Sequence, residues 1–220
     1  MLYVVSTPIG NLQDITLRAI ETLKSVDLIA AEDTRHTKIL TNHYQIATPL
    51  TSFFEHNQLK KGDYLLGLLK EGKNIALVTD AGTPGISDPG FHLIRLARES
   101  DIPITVVPGA TAVIAALTLS GLPSHSFIFE GFLPVKPLAR RKKLGEFKGE
   151  KRTVIFYESP YRLLKTLKDM EEVLDNPQVV CARELTKKFE EVKKGRAREV
   201  LDYFAKQKPK GEFVLLLQSN

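Results

Sequence analysis

The sequence predicts an α/β protein of two α/β domains, an N-terminal parallel sheet followed by a C-terminal mixed sheet. Three observations carry this expectation. Residues 1–120 alternate short apolar runs with amphipathic stretches five times over, the pattern of a parallel sheet covered on both faces. Three of those runs end in loops that combine Pro or Gly with small hydroxyl residues: Ser6–Asn11, Asp80–Gly90 and Pro108–Ala112. After Gly121, Leu122 and Pro123 the alternation restarts, so domains are expected at 1–120 and 121–220.

Taken in order, Leu2–Val5 reads as a short buried strand, and Asp14 as the cap of a helix carrying Ile15, Leu17, Ile20 and Leu23. Leu28–Ala31 is the second strand, followed by a helix through Ile39 and Leu40 and a short strand at Leu50–Ser52. A helix with Tyr64, Leu65, Leu68 and Leu69 stops at Gly72, and Asn74–Val78 is the next strand. The helix through Phe91–Arg98 takes Asp88 as its cap and Pro89 as its first residue. Ile104–Val107 is a strand, and a helix of small and apolar residues runs on to Leu119.

In the second half, Phe127–Phe129 and Thr153–Tyr157 are strands on either side of a basic insertion. Ser159 is expected to cap, and Pro160 to open, a helix with Leu163, Leu164, Leu167, Met170 and Leu174. A strand at Gln178–Ala182, a segment near Phe189–Lys194, a helix through Leu201 and Phe204 and a strand at Glu212–Leu217 complete it.

A composition of 43% hydrophobic and 26% charged residues is that of a globular protein, not of a disordered chain. The start lacks a basic n-region, and the most apolar span, Val106–Leu122, is interrupted by Pro108, Gly109 and Gly121, so neither a signal peptide nor a membrane span is expected. The cytoplasm is the expected compartment. The single cysteine, Cys181, lies in an apolar run and reads as a buried thiol, and five scattered histidines lack ligand spacing, so no metal site is expected. Charge is uneven: residues 1–135 hold 10 Lys+Arg against 13 Asp+Glu, and residues 136–220 hold 21 against 13. That excess suggests a polyanionic partner for the second half.

The chain is organised around Thr79–Gly90. Three glycines permit positive φ and close backbone approach, and two prolines preset the loop. The loop is longer than a strand-to-helix turn requires, which marks it as a ligand loop. No Gly-Lys-Ser/Thr and no GxGxxG occurs in it, so it is neither a P-loop nor a dinucleotide fingerprint.

Six segments then occur in order: Thr7–Arg18 (TPIGNLQDITLR), Ala31–Arg35 (AEDTR), Asp80–Gly90 (DAGTPGISDPG), Pro108–Thr111 (PGAT), Phe156–Pro160 (FYESP) and Ala182–Thr186 (ARELT). Together they resemble the tetrapyrrole-methylase superfamily, and within it the branch of ribosomal RNA 2′-O-methylases acting on a cytidine of 16S rRNA. The resemblance covers nearly the whole chain. It implies S-adenosylmethionine bound in a cleft between two α/β domains, 16S rRNA or the small ribosomal subunit as partner, and a homodimer. Members of that branch usually continue past the final strand with a small helical extension, whereas this sequence stops at Asn220; the point bears on full activity toward RNA. Carried over motif by motif, the cofactor contacts fall on Pro8, Asp80, Ala81, Gly82, Thr83, Ile86, Thr111 and Ala112, with Tyr157, Glu158 and Leu185 from the second domain.

Methyl transfer to a ribose hydroxyl needs alignment, worth up to about 7–11 kcal/mol, and removal of the hydroxyl proton. Polar residues at strand ends supply the candidates: Glu32, Asp33, Arg35, Glu55, His56, Glu158, Arg183 and Lys187. Asp33 with Arg35 is the preferred catalytic pair, a fork for phosphate beside a carboxylate that could accept a proton, although Asp33 could equally be a helix cap. Lys136–Arg152 carries eight basic residues around Arg140, Arg141, Lys142 and Lys143, flanked by Phe132 and Phe147, a footprint of single-stranded RNA. The alternatives are a corrinoid or porphyrin methylase of the same fold, and an RNA-binding relative without catalysis.

Overall fold

The computed structural model describes residues 1–218. The chain divides into two compact units, Met1–Thr111 and the residues from Ala112 onward. In the first unit the strands are β1 (Leu2–Val5), β2 (Leu28–Ala31), β3 (Leu50–Ser52), β4 (Ile75–Val78) and β5 (Ile104–Val107). The helices between them are α1 (Leu17–Ser25), α2 (Thr34–His43), α3 (Gln58–Lys70) and α4 (Gly90–Glu99). All pairings are parallel, in the order β3-β2-β4-β1-β5. The central strands are buried on both faces, which is why they read in the sequence as unbroken apolar runs.

One face, with Val5, Ala31, Val78 and Val107, packs on Ala19 and Leu23 of α1 and Leu40 of α2. The opposite face, with Leu2, Ala30, Ile75 and Leu77, packs on Leu65 and Leu69 of α3 and Leu93 and Ala97 of α4. The chain thus winds one way from β1 through β2 to β3, and returns through β4 to β5 with its helices on the other face. Val5 lies opposite Val107 and Val4 opposite Leu77 in the ladder, so the loops after β1, β4 and β5 leave the sheet side by side. That edge, where winding reverses, is where open α/β sheets hold ligands.

The second unit contains α5 (Ala112–Ser120), β6 (Phe127–Phe132), α6 (Pro137–Gly145), β7 (Thr153–Glu158), α7 (Leu163–Val173), β8 (Gln178–Arg183), β9 (Glu191–Arg196), α8 (Ala197–Ala205) and β10 (Phe213–Gln218). Its sheet is mixed, in the order β6-β7-β10-β8-β9, with β6 and β7 parallel and the other pairs antiparallel. Leu144, Leu163, Leu167, Met170, Val200 and Phe204 from α6, α7 and α8 cover Val154, Phe156, Cys181, Leu215 and Leu217. Cys181 is fully buried, and burial pushes its thiol well up.

The compact units divide at 111/112, and α5 goes with the second because it lies against β10, β8 and β9 of its sheet. Three expectations shift. Thr16, not Asp14, caps α1, its hydroxyl accepting from the Ala19 N–H at 3.1 Å, while Asp14 ends a short 3-10 turn. Ser159 and Pro160 form a turn ahead of α7, with the Ser159 carbonyl accepting from the N–H groups of Arg162 and Leu163. Helix α4 begins at Gly90, with Pro89 just outside it.

Candidate active site

Three loops of the first unit are laced together at the carboxyl edge of its sheet. Thr7 and Gly82 exchange two backbone hydrogen bonds, Thr7 N to Gly82 O at 2.9 Å and Gly82 N to Thr7 O at 3.2 Å. Gly82 holds this position at φ +86°, a conformation side chains oppose. The Thr7 hydroxyl donates to the Thr79 carbonyl at 3.1 Å. The Thr83 hydroxyl donates to the Ala110 carbonyl at 3.3 Å, and it lies 2.8 Å from the Ser6 hydroxyl. Since Thr83 has one proton, Ser6 is the donor of that second bond, and one residue from each loop joins the chain. Gly109 fits against Ser6 because a Cβ there would come within 2.9 Å of the Ser6 Cβ.

The rest of the long loop is tied by Asp88. Its carboxylate accepts from the N–H groups of Gly85 (2.8 and 2.9 Å), Ile86 (3.2 Å) and Gly90 (2.7 Å). Burial pushes the Asp88 carboxyl above its ordinary value, and those N–H groups oppose the push. This knot was visible in the sequence only as a helix cap.

A second lacing joins the ends of β2 and β4. Glu32 accepts from the Thr79 hydroxyl at 2.5 Å and from the Asp80 N–H at 3.3 Å, and Asp80 accepts from the Asp33 N–H at 3.0 Å. Asp33 caps α2 through the Arg35 N–H (2.8 Å) and grips the Arg35 guanidinium, Nη2 to Oδ2 at 2.6 Å and Nε to Oδ1 at 3.0 Å. The Arg35 side chain, 90% exposed, holds the Asp33 carboxyl well below the usual carboxylate range. Asp80 goes the other way: burial pushes its carboxyl up, with Glu32 and Asp33 adding to the effect and the Asp33 N–H opposing it. Of the two neighbours Asp33 is the weaker base and Asp80 the stronger.

The remaining expected contacts are unequal. Ala81 and Ile86 are exposed, Thr83, Thr111 and Ala112 are half-buried, and Pro8 and Gly82 are buried, so the last two build the walls and offer little surface. Glu55 and His56 stand exposed after β3. In the second unit Tyr157 is half-buried, edge-on to Phe129 with ring centroids 5.0 Å apart. Glu158 is buried, accepting from Ser159 N (2.8 Å) and the Thr166 hydroxyl (2.5 Å). Leu185 is buried between Glu184 and Thr186, both at positive φ. Arg183 donates to the Lys210 carbonyl (2.8 Å) and pairs with Glu191, and Lys187 pairs with Glu184 (3.0 Å) and Glu212 (2.9 Å).

The basic run of α6 is largely paired within the protein. Arg140 is 4% exposed and bonded to Asp169 at 2.7 Å, Arg141 pairs with Asp169 (3.1 Å) and Glu172, and Lys143 pairs with Glu130 (2.7 Å) and Glu146 (3.0 Å). Of the four, Lys142 alone is exposed. The neutralising carboxylates sit chiefly on α7, too far along the chain to be matched by reading α6.

Among the described residues no group of three or more His, Cys, Asp and Glu could hold a metal ion, and no helix is long and apolar enough to cross a membrane.

Against known proteins, the family model described as Tetrapyrrole (Corrin/Porphyrin) Methylases matches residues 1–201. A relative named Ribosomal RNA small subunit methyltransferase I, from Haemophilus influenzae, is 50% identical over 99% of this chain and 78% of its own length. One of the same name from Thermotoga maritima is 49% identical over 98% of this chain and 97% of its own. Among solved structures, uroporphyrin-III-C-methyltransferase from Thermus thermophilus superposes with a TM-score of 0.68 at 21% identity, covering 98% of this chain and 93% of that one. Diphthine synthase superposes at 0.73 and 13% identity, covering 99% and 89%. The laced loops at the sheet edge thus belong to a fold built for methyl transfer, and this chain is a member of the tetrapyrrole methylase family, alongside relatives half identical to it over nearly its whole length.

Proposed function

We propose that this protein is an S-adenosylmethionine-dependent methyltransferase of small-subunit ribosomal RNA, modifying a cytidine at its ribose 2′-hydroxyl. The observation that carries the reading is the laced triplet of loops, which presents Ala81, Thr83, Ile86 and Thr111 at the sheet edge with no Lys or Arg anywhere from Thr79 to Gly90. A sulfonium ligand is repelled by cations and needs backbone and hydroxyl partners, so the residues present fit the cofactor. When bound, S-adenosylmethionine supplies an activated methyl group.

The chain's own residues then have separable tasks. Thr7, Gly82 and Asp88 hold the loops, and Ala81, Thr83, Ile86 and Thr111 contact the cofactor. Arg35, fixed by Asp33, offers its outer N–H groups to a substrate phosphate. Asp80, with its raised carboxyl, takes the proton of the ribose hydroxyl. The names of the relatives support the ribosomal RNA substrate.

Incubation with labelled S-adenosylmethionine, together with either 16S rRNA or small subunits, tests the reading, followed by mapping of the methylated nucleotide. A 2′-O-methylcytidine supports it. Label entering a porphyrinogen or corrinoid but no RNA would overturn it.

A further inference from the structure

Resting on the RNA reading above, we propose that the carboxyl end of β6 and β7 is a stacking platform for unpaired RNA bases, built on Phe132 and Tyr161. Because β6 and β7 run parallel, the loops that follow them leave the same edge of the second sheet. Arg162 pins the two loops together: its Nη2 donates to the Leu133 carbonyl at 2.5 Å and to the Pro134 carbonyl at 3.4 Å, while its Nε lies 3.2 Å from the Glu158 carboxylate. Arg140 donates to the Val135 carbonyl at 3.3 Å. On this fixed base Phe132 is 55% and Tyr161 90% exposed, and Val135 and Leu138, in the loop and helix that follow β6, are open too. The Phe132 ring is braced against Tyr157, centroids 5.6 Å apart, so its outer face is preset.

Charge decides which partner fits. The carboxylates of this region are already matched: Glu158 with Arg162, Asp169 with Arg140 and Arg141, Glu172 with Arg141, and Glu130 with Lys143. Lys136, Lys142 and Lys165 are exposed with no ion pair among the described residues. Leu138 and Lys142 are four residues apart on α6 and share a face. Open aromatic rings, with unmatched lysines on the adjoining loop and helices, suit a strand whose bases have π-faces and whose backbone is anionic. A second copy meeting this surface about a two-fold axis would instead bring those lysines toward their own counterparts.

The chain contains no tryptophan, so Tyr161→Trp introduces one reporter at the platform. Its fluorescence should be quenched by a single-stranded fragment of small-subunit rRNA and far less by a duplex of the same sequence. Phe132→Ala with Tyr161→Ala should weaken binding of the single strand about 5- to 150-fold for one stacked base, while Tyr161→Phe retains affinity and cofactor binding by calorimetry is unmoved in all variants. An unquenched tryptophan, or a double-alanine protein binding RNA as the parent does, overturns the platform. So does a double-alanine protein whose only change is its oligomeric state by sedimentation, which would assign the patch to a second copy. Methylation of 16S rRNA by the parent is measured alongside: transfer without platform dependence sinks this inference alone, and absence of both RNA binding and transfer sinks the function with it.

Discussion

Replacing Arg140 separates a structural arginine from an RNA-binding one. Its guanidinium is buried, bonded to Asp169 at 2.7 Å and to the Val135 carbonyl at 3.3 Å. Removing one partner of a buried ion pair costs about 3–5 kcal/mol. Here Asp169 keeps Arg141 at 3.1 Å, and methionine refills the apolar space around the stem, so Arg140→Met should cost about 2–4 kcal/mol. For a chain of this size that is a fall in melting temperature of roughly 5–15 °C. Urea and thermal melts followed by circular dichroism give the number. Adding Asp169→Leu should recover much of the loss, since an apolar pair can replace a buried ionic one and Arg141 retains Glu172. In the same preparations the log–log salt slope for RNA binding should stay at the parent value for Arg140→Met and flatten by about 0.7 for Lys142→Ala. An Arg140→Met protein of parental stability with a flattened salt slope would refute the reasoning, because the guanidinium would then be meeting phosphate.

Three further outcomes are expected. Gly82→Val forces a branched side chain into φ +86° beside Ile9 and Ala110, and calorimetry should show cofactor affinity reduced at least about tenfold in a folded protein; unchanged affinity would remove this loop from the site. Asp80→Asn should lower kcat by about 10²–10⁴ and erase the acidic limb of the pH–rate profile, because a base with a raised pKa gains activity only as pH climbs through that value; a variant keeping the limb would clear Asp80 of the role. Asp88 is neutral more readily in the folded chain than in the unfolded one, so ionising it lowers stability as pH rises from the ordinary aspartate value through the raised one. Asp88→Asn should flatten that stretch of the stability curve, and thermal melts taken at rising pH from the ordinary aspartate value upward would show the parent's slope persisting if the assignment is mistaken.

The sequence made the first sheet legible because strands buried on both faces must be apolar throughout, as Ile75–Val78 is. It also marked the three loops, since glycine and proline betray a backbone that side chains would obstruct. What it hid were matters of pairing across distance. Nothing in Arg140–Lys143 announces that Asp169 and Glu172 wait on the next helix, so a run that looked like an open cationic face is mostly an internal ion network. Likewise Asp33 and Asp80 look alike as letters, and only their surroundings, Arg35 for one and burial for the other, drive their acidities apart. Tyr161, in a segment read as the start of a helix, gave no signal of exposure, because the turn formed by Ser159–Arg162 depends on the helix starting at Leu163.

The bridge between Thr7 and Gly82 also governs how this edge opens. Each amide is protected by the other residue's carbonyl, so neither can exchange its hydrogen with solvent unless the two loops part together. Their exchange rates should therefore share one opening free energy, although the two residues are 75 positions apart in the chain. The loops after β1 and β4 form one cooperative opening unit, and a ligand that rests on either slows the breathing of both.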